Sequence, residues 1–328
     1  MLQDSGAEVV LGGGGRSLEL LSLEFPELER VDIPGYEIKY PAEGGMILNM
    51  LLSIPRILEG IRNEHKAVER IVKEKQIDLL ISDNRYGLYS ETVPSVFITH
   101  QVFIQTPFGQ KTLHRMTRDY MNRFSECWIP DVSGSGNLSG HLSHLSAPPN
   151  HSHFIGPLSR FSNLLQEPSK GYELVFLLSG PEPQRSSFEA SLLRQLQGRN
   201  EKMLLLRGIP GIEETKEVGA LTIRSHMGSD ALGRILSNAE LLISRSGYSS
   251  LMDAAVLGKR CVFIPTPGQT EQEYLGQYHA EKGHCVLQKQ SEMNIGEAIR
   301  QAASIRGFEK TSYSGELLRE RIAYWMSR

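Results

Sequence analysis

The stretch from Leu241 to Pro267 constrains the fold of this chain more than any other. It begins with a short apolar strand, Leu241 to Ile243, which is followed by a Ser-Arg-Ser-Gly turn. Small and apolar residues then recur at helical spacing up to Gly258, and a second apolar strand begins at Cys261. An apolar strand, a tight turn, a helix and a further apolar strand together predict a βαβ unit of a parallel sheet.

The turn of this unit, at 245–247, lies where the predicted strand meets the start of the predicted helix. Free backbone N–H groups and the positive end of the helix dipole favour an anion at such a point. Ser-Gly turns are also common in α/β sheets that bind nothing there, so the turn alone is compatible with both interpretations. The polar run at 268–273 favours a binding site, because the strand ends of a parallel sheet meet at one edge.

The composition excludes several classes of function. A chain of 328 residues, 40% hydrophobic and 22% charged, is typical of a soluble protein of two ordinary domains. A net charge of −3 predicts no nucleic-acid partner. The cysteines Cys127, Cys261 and Cys285 lack metal-ligand spacing, which favours buried thiols in a reducing cytosol. No secretory signal and no apolar run of ~20 residues is recognisable, so we expect a cytoplasmic location.

The segment 241–286 resembles the donor-binding core of family 28 of the GT-B glycosyltransferases. The Arg-Ser-Gly turn of that family stands at 245–247, and its ribose-binding acid falls at Asp253, where the family usually has Glu. Its paired glutamines, which face the donor sugar, fall at Gln272 and Glu273, so one of the two is replaced. The resemblance implies an α/β fold of two Rossmann-like, doubly wound domains with a cleft between them, and a UDP-sugar as donor substrate.

The resemblance also implies a division of the chain. Residues 1–158 would form an acceptor-side domain, 159–171 a polar linker and 172–328 the nucleotide-sugar-binding domain, whose last helix can cross back to the first. The family begins one βα unit earlier, with a Gly-rich loop that ends in His. The glycines at 12–15 resemble instead the loop after the family's second strand. We therefore expect either that the native start lies upstream of Met1 or that this first unit is absent.

The predicted donor site draws on several loops of the second domain. Gly180 follows the first strand of the second domain, where backbone N–H groups can approach a phosphate. Two nearby prolines lack N–H groups, so this turn is a poorer anion site than a turn made of glycines. The segment that ends at Met227 resembles the family segment whose backbone pairs with the uracil edge. Arg245 would either contact phosphate or only support the turn. The predicted nucleotide-sugar contacts are Gly180, Met227, Arg245, Ser246, Gly247, Asp253, Gln272 and Glu273.

Two residues of the first half are candidates for the general base that activates an acceptor hydroxyl. Asp83 follows the predicted strand 77–82, and His100 follows the predicted strand 96–99. Catalytic side chains collect at the carboxyl ends of parallel strands, and both residue types can accept a proton. Local roles fit as well, because an Asp can cap a turn and a His can hold a loop. The resembled family has a His and a Gln near this strand end, which supports an acceptor-side role.

Two further patterns lie in the first half. The apolar run 46–58, followed by basic residues, suits either a peripheral contact with the inner face of a membrane or an amphipathic helix packed on a sheet. We expect Pro55 to break or kink this helix or to mark its start. Four histidines lie between 141 and 153 without an accompanying carboxylate or Cys, which favours a loop and predicts no metal site.

The sequence therefore predicts a glycosyltransferase that moves a hexose or N-acetylhexosamine from a UDP-sugar to an acceptor sugar, a lipid-linked sugar or a small molecule. The resemblance implies inversion without a metal or other cofactor, because N–H groups, helix N-termini and an Arg would stabilise the leaving diphosphate. One alternative is a nucleotide-sugar epimerase, with Glu273 among its acid–base groups. Another is a catalytically incomplete donor-binding subunit that needs a partner, since the first Gly-rich loop is missing.

Overall fold

The computed structural model describes residues 1–35, 46–105, 109–162, 171–209, 211–310, 313 and 315–328, without the side chains of 16 and 46–54. The chain divides into unit 1, formed by Met1–Pro157 with Gly315–Arg328, and unit 2, formed by Leu158–Ser314. The sequence predicts a linker at 159–171 and a second domain at 172–328 whose last helix can cross back to the first. In the structure, the described part of that linker belongs to unit 2, and the C-terminal segment belongs to unit 1.

Unit 1 contains two parallel sheets. The first pairs β1 with β2, and the second has four strands in the order β3-β4-β5-β6. Both are short, and their strands run in one direction because helices or long loops return the chain between them. The strands are β1 (Val10–Gly13), β2 (Glu29–Asp32), β3 (Leu80–Asp83), β4 (Ser95–Ile98), β5 (Glu126–Ile129) and β6 (Ser152–Phe154).

Unit 2 contains one sheet of seven strands in the order β13-β12-β11-β7-β8-β10-β9, in which only β9 runs antiparallel to its neighbour. The chain builds one side of the sheet outward from β7 and then returns to build the other side from β11. These strands are β7 (Leu174–Leu177), β8 (Met203–Leu206), β9 (Thr215–Val218), β10 (Leu221–Arg224), β11 (Leu241–Ser244), β12 (Arg260–Phe263) and β13 (Cys285–Leu287).

Ten α-helices lie in the described residues and connect or cover these strands. The helices of unit 1 are α1 (Gly15–Glu24), α2 (Met46–Lys75), α3 (Gln110–Met121), α4 (His141–His144) and, at the end of the chain, α10 (Glu316–Met326). The helices of unit 2 are α5 (Gln184–Leu196), α6 (Ser229–Asn238), α7 (Tyr248–Leu257), α8 (Thr270–Glu281) and α9 (Ile295–Ala302).

Each unit has its own buried core. In unit 2, Phe176, Leu205, Ile243 and Val262 come from four adjacent strands and lie in one cluster with Phe188 of α5. Each of these five side chains is at most 1% exposed. Since apolar burial is the main favourable term in folding, alternating helices and apolar strands with such a core explain the predicted α/β fold, which the structure confirms.

Helix α10 is attached to unit 1 through the buried carboxylate of Glu126. This carboxylate accepts hydrogen bonds from the indole N–H of Trp128 (2.8 Å) and of Trp325 (3.2 Å), and it pairs with Arg321. Because a buried carboxylate needs donors on several sides, the C-terminal helix satisfies a group of unit 1 that β5 alone leaves partly unpaired.

Helix α2 corrects one expectation from the sequence. It runs from Met46 to Lys75 and neither begins nor ends at Pro55. In the second half of the helix, Val68 and Val72 pack against Ile33. Among the described residues, no helix is long and apolar enough to span a bilayer. The membrane contact proposed for 46–58 falls largely on side chains outside the described set.

Candidate functional site

The 245–247 turn joins β11 directly to α7. Gly247 is the N-cap of the helix, with φ −70° and ψ 147°, and no side chain caps the first turn. A Cβ built at Gly247 would meet no heavy atom within 4 Å, so the space beside this residue is open. The first N–H groups of a helix lack intrahelical partners, and an anion is the kind of ligand that such groups favour.

Arg245 lies behind this turn and is 1% exposed. Its guanidinium donates hydrogen bonds to the carbonyl oxygens of Ile264 (2.9 Å), Pro265 (3.0 Å) and Gln184 (3.3 Å) and to Oε1 of Gln290 (2.7 Å). Burial lowers the pKa of Arg245 to about 10. All four acceptors are neutral, so within the described residues the positive charge has no carboxylate partner. Of the two roles left open by the sequence, this geometry corresponds to support of the turn.

Ser246 and Gln272 join two strand ends. The buried hydroxyl of Ser246 donates to the carbonyl oxygen of Gln272 (2.7 Å), and Oε1 of Gln272 accepts from the backbone N–H of Thr266 (2.8 Å). Glu273 is exposed and accepts a bond from the N–H of Gly268 (3.2 Å). The pair 272–273 therefore fixes the loop after β12 beside the turn after β11, with one carboxylate left at the surface.

Asp253 has a partner that the sequence did not indicate. The hydroxyl of Ser159 donates to Oδ1 of Asp253 (2.6 Å) and itself accepts from the N–H of Phe161 (3.1 Å). Burial raises the pKa of Asp253 to about 6, against the lowering effects of the Ser159 bond and the nearby charge of Arg160. Described residues give Oδ2 no hydrogen-bond partner, so this oxygen is available to a ligand hydroxyl.

Gly180 and Met227 follow two other strands of the same sheet. Gly180 has φ +105°, a conformation that favours glycine, and a Cβ there would lie 3.7 Å from Oγ1 of Thr266. The loops after β7 and β12 thus meet near the turn after β11, where the order of strand construction reverses. Met227 is partly buried after β10. Open α/β sheets bind ligands beyond the carboxyl ends of their strands at such a reversal point.

Asp83 and His100 stand at the carboxyl ends of adjacent strands in unit 1. Asp83 pairs in register with Ile98, and the N–H of Asn84 donates to the carbonyl of Ile98 (2.9 Å). Asp83 is exposed as a residue, but partial burial of its carboxylate raises the pKa of the group. The nearby charge of His100 lowers that pKa in part. The two predicted base candidates are therefore close enough to interact. Asn84 has φ 54°, a strained conformation that often marks a functional edge.

Asp131 organises the loop behind His100 and was not predicted. It is fully buried and accepts bonds from the N–H groups of Leu138 and Ser139 (2.9 Å each) and from the ring of His144 (3.3 Å). Burial alone would raise the pKa of Asp131, but these donors outweigh it and hold the pKa below its ordinary value. The hydroxyl of Ser143 in the same loop donates to the carbonyl of His100 (2.6 Å), which fixes the strand end.

No carboxylate lies among the histidines of 141–153 in the sequence, but the structure places two beside them. His144 pairs with Asp131 at 3.3 Å, and His153 lies 3.8 Å from Glu126. These acids follow or belong to β5, which no local spacing rule places beside the histidines. In the part of the chain that the structure describes, no three potential ligands are grouped to hold a metal ion.

Residues 192–314 match the glycosyltransferase family 28 C-terminal domain. The matched residues make up most of unit 2 and end with it at residue 314. Over 73 residues the chain is 30% identical to the UDP-N-acetylglucosamine–N-acetylmuramyl-(pentapeptide) pyrophosphoryl-undecaprenol N-acetylglucosamine transferase of Desulfotalea psychrophila. That alignment covers 22% of this chain and 20% of the relative, so this chain matches about a fifth of the relative's length. The match includes the whole 241–286 segment and agrees with the family resemblance predicted from it.

Solved structures show the fold of the whole chain. The glycosyltransferase SnogD of Streptomyces nogalater has a TM-score of 0.60 at 15% identity and covers 100% of this chain and 90% of its own. MurG of Acinetobacter baumannii has a TM-score of 0.51 at 13% identity, with 100% and 88% covered. The UDP-GlcNAc 2-epimerase of Neisseria meningitidis reaches 0.57 at 9% identity, with 98% and 100% covered. At these identities the likeness shows the GT-B fold alone, and that predicted fold is confirmed.

Proposed function

We propose that this family 28 protein is a glycosyltransferase that takes its donor sugar from a UDP-sugar. The observation that carries the proposal is the N-terminus of α7, which no side chain caps and which lies at the reversal point of the unit 2 sheet, with open space beside Gly247. The names of the relative from Desulfotalea and of the epimerase from Neisseria both contain a UDP-sugar, which supports this class of donor.

The donor diphosphate would lie against the first N–H groups of α7, with Gly180 on the opposite loop. Arg245 would act through its charge, because its guanidinium is buried among neutral acceptors and no described carboxylate cancels it. A preorganised positive potential stabilises the negative charge that develops on the leaving UDP, without a step that needs a metal. Ser246 would hold this wall in place through its bond to Gln272.

The remaining donor contacts follow from the open groups. Oδ2 of Asp253 would accept a hydrogen bond from a ribose hydroxyl, since Oδ1 is held by Ser159. The backbone near Met227 would pair with the uracil edge. Gln272 would position the loop and contact the sugar. The exposed carboxylate of Glu273 would accept hydrogen bonds from the sugar hydroxyls. A hexose or N-acetylhexosamine fits this polar set.

Transfer would be a single displacement with inversion. The acceptor hydroxyl oxygen attacks the anomeric carbon, the bond from that carbon to the diphosphate breaks, and the hydroxyl proton passes to His100 or Asp83. Burial raises the pKa of Asp83 although nearby His100 lowers it in part, and a carboxylate with a raised pKa accepts a proton more readily. The acceptor would be a sugar, a lipid-linked sugar or a small molecule, met in the cytoplasm or at the inner face of the membrane.

Titration with UDP tests the donor site. We expect Asp253→Ala to lose about 1–3 kcal/mol of UDP binding free energy, because a buried hydrogen bond to a charged group is removed. Glu217→Gln is the matched control, since it removes a carboxylate from the exposed edge strand β9. Unchanged UDP affinity in folded Asp253→Ala would refute the ribose assignment.

Incubation with a panel of UDP-sugars, followed by mass spectrometry, separates the alternatives. Release of UDP supports a transferase. Conversion of the sugar without release would favour the epimerase, which the neighbour from Neisseria and the exposed Glu273 keep as second candidate. UDP binding with neither product would favour a donor-binding subunit that needs a partner.

A further inference from the structure

A cavity of about 360 Å³ lies in unit 1. Its lining includes Val102, Phe103, His114, Arg115, Arg118 and Leu145. The volume is within the range of pockets that hold small organic ligands, and the lining combines apolar walls with cationic groups. None of these residues belongs to the donor side or to the pair Asp83–His100.

The apolar wall of this cavity is held rigidly. Val102 and Phe103 are 2% and 4% exposed, and the N–H of Phe103 donates to the carbonyl of Leu142 (2.8 Å). The His114 ring donates from Nε2 to the carbonyl of Ile104 (2.9 Å) and meets the Phe103 ring at a centroid distance of 5.6 Å. A preformed wall of this kind binds an apolar group without a large ordering cost.

The polar wall carries two positive charges. Arg115 and Arg118 are three residues apart on α3, so they share one face of the helix, and both are exposed. Neither guanidinium pairs with a carboxylate in the part of the chain that the structure describes. Leu145, which is 47% exposed, stands with them around the cavity. Guanidinium groups bind phosphate and carboxylate in bidentate fashion, so the cavity suits an anion attached to an apolar body.

The cavity is close to the proposed catalytic edge. Val102 and Phe103 follow His100 by two and three residues, and three residues span at most about 11 Å. The hydroxyl of Ser143 bonds to the carbonyl of His100, and Leu142 beside it accepts the bond from Phe103. The cavity therefore lies beside the loop that carries His100 at the carboxyl end of β4.

We propose that this cavity binds the acceptor, and that the acceptor carries a phosphate or carboxylate next to an apolar group. Arg115 and Arg118 select the anion, and the wall of Val102, Phe103 and Leu145 accommodates the apolar part. The inference rests on the proposed function, because it assigns the cavity to the substrate that His100 or Asp83 would deprotonate.

Calorimetric titration with three short amphiphiles below their micelle-forming concentrations tests the proposal: n-octyl phosphate, n-octanoate and n-octyl β-glucoside. We expect the wild-type protein to bind octyl phosphate or octanoate at least tenfold more tightly than octyl glucoside, and the tighter of the two identifies the anion. Arg115→Gln with Arg118→Gln should remove that preference and change octyl glucoside binding less than twofold. Arg70→Gln with Lys73→Gln, two exposed cations three residues apart on α2, should change nothing.

Equal binding of the three probes, or a preference that survives in the α3 double variant, would overturn the inference. So would binding to phosphatidylglycerol vesicles with none to monomeric octyl phosphate, because the arginines would then be a membrane contact. UDP titration of the same preparations keeps the two proposals apart. If the wild-type protein binds UDP but none of the three probes, the cavity proposal alone is overturned. If the wild-type protein does not bind UDP, the proposed donor site and the acceptor assignment are both overturned.

Discussion

Asp253→Asn should stabilise unit 2 at neutral pH while it weakens nucleotide binding. The wild-type carboxylate is ionised at pH 7.5 although burial raises its pKa to about 6 from the ordinary value of 3.8. Asparagine is uncharged and has nearly the same shape, and its carbonyl oxygen can still accept the bond from Ser159. The substitution therefore removes the cost of burying a charge and keeps the local geometry.

The size of the effect follows from the pKa difference. Each tenfold change in acid dissociation is worth about 1.4 kcal/mol, so the difference between 3.8 and about 6 corresponds to about 3 kcal/mol. The folded-state pKa is raised, so the contribution to stability is fully present below pH 4 and is lost as the pH rises through about 6. Because Asp253 is only partly buried, we expect a gain of about 1–3 kcal/mol at pH 7.5 and almost none below pH 4.

Urea denaturation at a series of pH values measures this gain. Ser159→Ala is the companion variant, because it removes the bond that lowers the Asp253 pKa and should make the wild-type pH dependence steeper. A variant Asp253→Asn that is no more stable than wild type at pH 7.5, or whose advantage does not change with pH, would refute the reasoning. Increased stability with reduced UDP affinity is the pattern expected of a binding residue.

Three other substitutions test the supporting contacts. Arg245→Lys should lower the free energy of unfolding of unit 2 by about 2–4 kcal/mol in urea denaturation, because a lysine cannot donate to both carbonyls of 264 and 265. A more than tenfold loss of UDP affinity in the folded variant would instead show a direct contact with phosphate. Asp131→Asn should lower the free energy of unfolding by about 1–3 kcal/mol at pH 7. Because the folded-state pKa of Asp131 is lowered, this difference from wild type should shrink as the pH falls through that pKa, and a difference that does not change with pH would contradict the reasoning. Gly87→Ala should lower the free energy of unfolding by about 1–3 kcal/mol or more in thermal denaturation, because its Cβ would lie 2.5 Å from the carbonyl oxygen of Ile61. Gly136→Ala is the control and should be nearly neutral, because its Cβ would make a single contact at 3.9 Å.

The βαβ unit was predictable because its signals are local. The strand predicted at 241–243 is observed as Leu241–Ser244, and the helix ends at Gly258, which has φ +63° as a helix-terminating glycine requires. The reversal of strand order around β7 and β11 then follows from the family resemblance. The strand and the end of the helix in this unit, which needed only periodicity and a turn residue, therefore agree with the structure.

The contacts that could not be predicted join residues far apart in the sequence. Ser159 and Asp253 are 94 positions apart, and Glu126 meets Trp325 across 199 positions. Nothing in the local pattern of either partner shows which hydroxyl or indole will satisfy a buried carboxylate. For the same reason Arg245 could not be assigned from its motif, since its acceptors lie on three other segments of unit 2.

The return of α10 to unit 1 makes unit 2 a continuous insertion within the first unit's chain. Under the proposed function, the donor-recognising portion is therefore encoded as one cassette, with a junction after Pro157 and another before Gly315. Two crossovers in a gene could exchange that cassette and change which nucleotide sugar is used while the acceptor machinery keeps its own helix and strands. Such a chain is arranged so that donor choice can evolve by replacement as well as by point substitution.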